Sequence, residues 1–155
     1  MEFIEVPFIA LVKDFKIMKL KNIPTGNSKE DIKTREKIIS DFYYEWKRSN
    51  PTQRLFNIDL KDYINIRHIS IIETVEHAAR TYLSTLAVLQ LDSILTFAKK
   101  VRIVNVKPKD KNQNQFEKMI KMEYELVGIG KVSLIVGVKR SNKEKVQYCI
   151  TAIKT

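Results

Sequence analysis

Apolar residues recur at helical spacing after a turn-forming segment at 24–27. Ser28 and Asp31 are spaced as in a helix-capping motif, and the helical pattern continues to about Arg48, before Pro51. The apolar side of this predicted helix carries Ile32, Arg35, Ile39, Phe42 and Trp46. We therefore expect an amphipathic helix that packs against the core.

A second helical pattern begins at Ser70 and predicts one continuous helix with an apolar and a polar side. The apolar face consists of Ile72, Val75, Ala79, Tyr82 and Leu86. The opposite, polar stripe consists of Glu73, His77, Arg80 and Ser84. Residues 86–98 are apolar enough for another buried helix, which restarts at Asp92 or Ser93 as its N-cap.

The last third of the chain has the alternating, β-branched pattern of strands. Turn residues at 128–130 and 141–144 separate the later runs. Residues 55–58 fit a short strand, residues 63–72 fit either a helix or a strand, and residues 1–21 fit one or two strands or an extended arm. The predicted strands are 101–106, 117–127, 131–139 and 145–153.

These elements predict an α+β fold in which helices pack on an antiparallel β-meander of three to four strands. A length of 155 residues with 44% hydrophobic content is sufficient for a single domain with one core. Within it, residues 1–50 form an N-terminal strand or arm and helix, and residues 51–155 form the α+β core.

The charge of the chain favours a polyanionic partner. Lys and Arg number 28 against 18 Asp and Glu, which gives a formal net charge of +10, and cations gain affinity by releasing counterions from phosphates. Cys149 is the single cysteine, so an internal disulfide and a multi-cysteine zinc site are excluded. We expect no metal and no cofactor, a reducing cytoplasmic location, and neither a signal peptide nor a membrane-spanning segment.

Two basic segments flank the predicted sheet and are candidates for nucleic-acid binding, because cations at strand ends and in loops can contact phosphates. The same lysines can instead protect sheet edges from pairing with other chains. The first segment carries Lys99, Lys100, Arg102, Lys107, Lys109 and Lys111, and the second carries Lys139 and Arg140.

The polar stripe is the candidate catalytic site. Offsets of three, four and seven residues place Arg80, Thr81 and Ser84 on or beside the helical face of His77. A histidine can transfer a proton near neutral pH while an arginine stabilises a charged phosphate, which suits phosphodiester cleavage without metal. The alternative is that His77 faces solvent or joins a polar network, with Arg80 paired to Glu73 or Glu76. His68 is a second, lower-ranked candidate.

Several segments together resemble a known nuclease group. They are the run His77-Ala78-Ala79-Arg80, the apolar residues 94–98, and the closing strands at 136–139 and 146–151. Over roughly residues 55–153 this arrangement resembles the barnase, EndoU, colicin E5 and D and RelE-like nuclease superfamily. The similarity is to its members associated with phages and mobile elements.

The resemblance implies helices on a curved antiparallel sheet and, in active members, metal-independent cleavage of RNA. It assigns the helix histidine to His77, the phosphate-binding cation to Arg80 or a lysine near Lys107, and the late-strand polar side chains to Tyr148 and Thr151. The sequence departs from the family in lacking an evident glutamate and histidine pair.

Three interpretations of function remain open. The first is a cytoplasmic, toxin-like ribonuclease of a bacterial mobile element or phage, acting through His77, Arg80, Ser84, Tyr148 and Thr151. The second is a non-catalytic nucleic-acid-binding or structural protein of the same element. The third is a protein-binding module with an incidental lysine-rich surface. In all three, residues 1–50 are candidates for binding a protein partner, and the oligomeric state is open.

Overall fold

The computed structural model of the chain describes residues 23–153. The strands or arm predicted at 1–21 lie outside this range. The helices are α1 (Lys29–Ser49), α2 (His68–Ala78), α3 (Tyr82–Val88) and α4 (Leu91–Phe97). The strands are β1 (Arg54–Asn57), β2 (Asp62–Asn65), β3 (Lys99–Val104), β4 (Phe116–Leu126), β5 (Gly130–Lys139) and β6 (Lys145–Ala152).

The strands form one six-stranded sheet in the order β1-β2-β6-β5-β4-β3. β3 to β6 pair antiparallel in chain order, which agrees with the four predicted strands, and β1 and β2 form an antiparallel hairpin. β2 joins β6 in parallel through Asn65 and Val146. The predicted fold class of an antiparallel meander of three to four strands is therefore wrong, since the sheet is mixed and has six strands.

The physical reason for this error lies in β1 and β2. The short strand predicted at 55–58 agrees with β1 to within one residue, but β2 lies mostly in the segment that fitted either a helix or a strand, and four residues are too few for a two-residue alternation to decide. Their junction with β6 joins residues about eighty positions apart in the chain. Local hydrophobic periodicity carries no information on such a contact.

α1 begins and ends as predicted and packs on one face of the sheet. Ser28 caps it by accepting a hydrogen bond from the backbone N–H of Asp31 at 3.0 Å. Phe42 and Trp46 are fully buried in the main core together with Leu134 of β5. The first described helix and the sheet thus share one hydrophobic core.

The predicted continuous helix from Ser70 is wrong. α2 ends at Ala78, and Thr81 acts as the N-cap of α3 by accepting a hydrogen bond from the backbone N–H of Ser84 at 3.1 Å. The break coincides with a buried guanidinium, because Arg35 Nε donates to the Ala79 carbonyl oxygen at 2.7 Å. This carbonyl at the end of α2 therefore has a hydrogen-bond partner outside the helix.

The predicted apolar face is confirmed at Val75, Ala79, Tyr82 and Leu86, which pack in or against the main core, but three other assignments are wrong. Ile72, assigned to the apolar face, is exposed, whereas Glu73 and Ser84, assigned to the polar stripe, are buried. α4 begins at Leu91 and not at Asp92 or Ser93. Buried polar groups with specific partners therefore determine the orientation of these helices more than apolar periodicity does.

α2 and α3 run beside the part of β6 that β2 leaves unpaired. The side chain of Gln147 donates to Thr74 Oγ1 at 2.8 Å, and the backbone N–H of Ala152 donates to Ser84 Oγ at 2.8 Å. These bonds satisfy groups at the edge of β6 and fix α2 against this strand. They bring the polar residues of α2 beside Tyr148.

The face of the sheet opposite α1 carries a smaller apolar cluster formed by Phe116, Met119, Val146 and Tyr148. The Phe116 ring lies directly on Gly137, since a Cβ added there would be 2.6 Å from the ring. The loop at 105–115, which joins β3 to β4, reaches from this cluster towards α2. We call this side of the sheet the open face.

Candidate functional site

A polar cluster forms where α2, β6 and the loop at 105–115 meet, and its centre is Glu73. This carboxylate is only 5% exposed. Glu73 Oε1 lies 3.4 Å from His77 Nε2, and Glu73 Oε2 accepts a hydrogen bond from Asn112 Nδ2 at 2.8 Å. The imidazole remains partly exposed, with 38% of its side-chain surface accessible. A buried carboxylate therefore lies within ion-pair distance of an accessible imidazole, and such carboxylate–histidine pairs occur in many acid–base sites.

Tyr148 is the third member of the cluster. It is the additional residue of a β-bulge, because Ile135 pairs with Cys149 whereas Val136 pairs with Gln147. Burial is the main cause that raises the pKa of its phenol, and the carboxylate of Glu73 adds to this. Tyr148 therefore stays protonated at neutral pH and can donate a hydrogen bond.

The neighbouring Cys149 is not suited to nucleophilic attack. Burial raises the pKa of its thiol to about 12, and the nearby carboxylates of Glu73 and Glu76 act in the same direction. Its Sγ instead contacts the backbone carbonyl of Glu73 at 3.9 Å. Because the thiolate is the reactive form, this cysteine is inert near neutral pH.

The other predicted catalytic residues have different surroundings. Arg80 is exposed in the turn after α2, with its guanidinium 3.6 Å from Glu76 Oε2. Ser84 is buried, and its hydroxyl accepts the Ala152 N–H. Thr151 lies on β6 opposite Ser133 of β5 and is half-buried. Hence His77, Arg80 and Ser84 do not share one helical stripe.

His68 is the first residue of α2 and is exposed. It precedes His77 by nine positions, which corresponds to about 13 Å along a helix. The two imidazoles consequently belong to separate surfaces, and His68 is useful as a control residue.

The predicted nucleic-acid-binding cations are all free of ion pairs within residues 23–153. Lys99, Lys100 and Arg102 are exposed on the edge strand β3, and Arg140 is exposed at the end of β5, next to the half-buried Lys139. Lys107, Lys109 and Lys111 are exposed on the loop at 105–115, which also carries Asn112. The loop lysines therefore lie close in sequence to the group that contacts Glu73.

Sequence reasoning missed Glu73 and Asn112 as members of the site. The four-residue spacing of Glu73 and His77, which places the two side chains on one helical face, is visible in the sequence. It was discounted because Glu73 was assigned to a solvated stripe. Asn112 has no local signal, since it reaches Glu73 across 39 positions.

Within the described residues, no group of three or more His, Cys, Asp and Glu side chains is arranged to hold a metal ion. None of the helices in residues 23–153 has the length and apolar character needed to cross a membrane.

No protein-family model matches the chain, and no curated protein and no solved structure matches it at a significant level. The resemblance to the nuclease superfamily consequently stays a prediction.

Proposed function

We propose that this protein binds RNA on the open face, beside α2 and the loop at 105–115, and cleaves it without a metal ion. The observation that carries the proposal is the pairing of buried Glu73 with accessible His77. Lys107, Lys109 and Lys111 support it, because they are exposed cations on the loop whose Asn112 binds Glu73.

The chemistry follows from the orientation of the imidazole. With Nε2 directed towards Glu73, Nδ1 is the nitrogen left for a ligand. His77 takes the proton of a ribose 2′-hydroxyl, and the 2′-oxygen then bonds to the adjacent phosphorus. The bond from phosphorus to the 5′-oxygen breaks, and that oxygen takes a proton from solvent. The products are a 2′,3′-cyclic phosphate and a free 5′-hydroxyl.

The surrounding groups serve this reaction in different ways. Glu73 stabilises the imidazolium that forms, and the loop lysines hold the phosphates on either side of the cleaved bond. The Tyr148 phenol, protonated at neutral pH as phenols ordinarily are, is available to donate a hydrogen bond within the polar cluster. DNA lacks the 2′-hydroxyl and should resist cleavage.

A second candidate is RNA binding without cleavage. It is favoured by the engagement of Arg80 with Glu76 and of Ser84 with the backbone of β6. These contacts engage Arg80 and Ser84 away from His77, so neither is free to assist it. A toxin-like role in a phage or mobile element is part of the proposal only through the resemblance.

Incubating the purified protein with RNA in EDTA tests the proposal. We expect 2′,3′-cyclic phosphate or 3′-phosphate ends, and a loss of about two to four log units in rate for His77→Ala. Glu73→Gln should lose about tenfold or more, because the imidazole loses its orienting charge. His68→Ala is the matched control and should retain activity.

Retained RNA binding with no cleavage across diverse RNAs would reject catalysis and leave the second candidate. Cleavage that survives His77→Ala would place the reaction elsewhere or reveal a contaminating nuclease.

A further inference from the structure

Two aromatic rings are left in solvent on the β1–β2 hairpin. Phe56 and Tyr63 face each other across the two strands, with ring centroids 5.5 Å apart and an interplanar angle of 79°. They are 46% and 40% exposed. Their neighbours Leu55 and Ile64, which also form a strand pair, instead pack into the main core. The aromatic pair therefore lies on the open face.

A guanidinium extends this aromatic surface. The Arg54 Cζ atom lies 3.9 Å from the centroid of the Tyr63 ring, which is a cation–π contact. Arg54 makes no ion pair within residues 23–153. The nearby Asp62 is neutralised by Lys145, whose ammonium lies 2.8 Å from it and lowers the pKa of the carboxyl. The surface thus combines two exposed rings, set edge to face, with a guanidinium plane over the second ring, and it is partly apolar and positively charged.

The sheet register relates this surface to the Glu73–His77 cluster. Asn65 pairs with Val146 in parallel, Tyr63 precedes Asn65 by two residues, and Tyr148 follows Val146 by two. Four strand residues span about 13 Å. Both surfaces therefore lie within reach of a short length of one extended polymer on the same face of the sheet.

We infer that Arg54, Phe56 and Tyr63 form a stacking platform for unpaired bases of single-stranded RNA. Bases stack on aromatic rings and on guanidinium planes, and the positive charge suits the phosphates between them. The choice of RNA as the polymer rests on the proposed function. The platform adds a preference for single strands over duplex, in which the faces of the bases are already stacked.

The platform is tested by binding measurements with 2′-O-methyl single strands of about 10 nucleotides, which cannot be cleaved through the 2′-oxygen. We compare adenine-rich strands with oligomers of the same length and charge that lack bases. The intact protein should bind the adenine-rich strands more tightly than the oligomers that lack bases. Substituting Phe56→Leu and Tyr63→Leu together should weaken only this base-dependent binding, by about 5- to 100-fold.

Two further variants sharpen the comparison. Arg54→Lys keeps the charge but removes the planar group, so it should reduce the preference for strands with bases. Tyr44→Leu removes a ring that is 50% exposed on α1, on the other side of the sheet, and should leave binding unchanged. Circular dichroism checks folding, and Phe56→Leu alone replaces the double variant if the latter unfolds.

The outcomes separate the platform from the proposed function. Equal binding of oligomers with and without bases would overturn the platform and leave RNA binding intact. Base-dependent binding with no cleavage of ordinary RNA would support the platform and overturn catalysis. No binding to any oligomer at low salt would overturn both, and would favour a protein partner for the exposed rings.

Discussion

Arg35 lies on the inner side of α1 and is fully buried, although arginine is seldom buried without a carboxylate partner. Its guanidinium donates from Nε to the Ala79 oxygen at 2.7 Å, and from one terminal nitrogen to the Pro24 and Gly26 oxygens at 2.8 and 2.7 Å. One side chain therefore joins the segment before α1 to the turn after α2. This turn sets the direction of α3.

Replacing Arg35 should destabilise the fold strongly. Arg35→Met keeps the apolar stem but leaves several buried carbonyl oxygens without donors, and each such loss costs about 1–3 kcal/mol. We expect urea denaturation to show a loss of at least about 2 kcal/mol. Arg48→Met is the matched control, because Arg48 is exposed and pairs with Glu45, and it should change stability by less than about 1 kcal/mol. Equal effects of the two substitutions would contradict the assigned role of Arg35.

Asp92 allows a test of stability against pH. It accepts a hydrogen bond from Trp46 Nε1 at 2.6 Å, and burial raises its pKa above the ordinary value of 3.8. The folded state therefore holds the Asp92 proton more tightly than the unfolded state does. This difference stabilises the fold at low pH, and the stabilisation is lost as the pH rises through the folded pKa. Asp92→Asn, the neutral analogue, should therefore be more stable than the parent at pH 7, and this difference should vanish below about pH 4.

Glu117→Gln is the control with the opposite sign. Lys143 lowers the pKa of Glu117, so the ionised form contributes stability that is present at neutral pH and lost in acid. This substitution should lower the melting temperature at pH 7 and have less effect in acid. Thermal melts of both variants and of the parent between pH 3 and pH 7 give the change in melting temperature that each substitution causes. At pH 7 the change should be positive for Asp92→Asn and negative for Glu117→Gln, and changes of the same sign would contradict the opposite pKa shifts of the two carboxyls.

At the scale of elements, the loop at 105–115 is fixed by polar contacts on the open face. Asn112 Nδ2 binds Glu73, the Asn112 backbone N–H donates to Asp110 Oδ1 at 2.8 Å, and the Lys107 N–H donates to Gln113 Oε1 at 2.9 Å. The loop therefore has a defined position beside the Glu73–His77 pair. Lys107, Lys109 and Lys111 belong to this loop, so the same contacts fix their backbone positions.

Removing the Asn112 side chain should release this loop. Asn112→Ala leaves a buried carboxylate oxygen without its donor, which costs about 1–3 kcal/mol. We expect faster amide hydrogen exchange over residues 107–113 and weaker RNA binding. Asn114→Ala is the control in the same loop, since the Asn114 side chain is exposed and only its backbone oxygen accepts from Arg140. Unchanged exchange in Asn112→Ala would show that the contact with Glu73 does not hold the loop.

Periodicity predicted α1, β4 and β5 well because these elements are long and bury an apolar side. The exposed strand β3 was predicted from its β-branched residues alone. Periodicity failed for α2 and α3, where Thr74 and Ser84 are buried by specific hydrogen bonds to β6. In the site, His77 was predicted from its residue type. Glu73 was overlooked because its burial depends on Asn112 and on the packing of α2 against β6, which no local pattern encodes.

At the scale of the whole molecule, the net charge of +10 does not by itself locate a binding surface. Lys33, Lys37 and Lys47 lie on α1, on the other side of the sheet from the loop lysines. Diffuse attraction would engage both groups of cations. A defined RNA site on the open face would engage only the loop lysines. The location of bound RNA therefore distinguishes a site from general affinity for polyanions.

Mapping that location by nuclear magnetic resonance tests the central claim most directly. A short 2′-O-methyl single strand is titrated into the isotope-labelled protein at physiological salt, and the backbone amide shifts are recorded. We expect the largest changes in the loop at 105–115, around His77 and on β2 near Tyr63, with little change along the exposed side of α1. Changes of equal size at Lys33, Lys37 and Lys47, or none at the loop and His77, would contradict this claim.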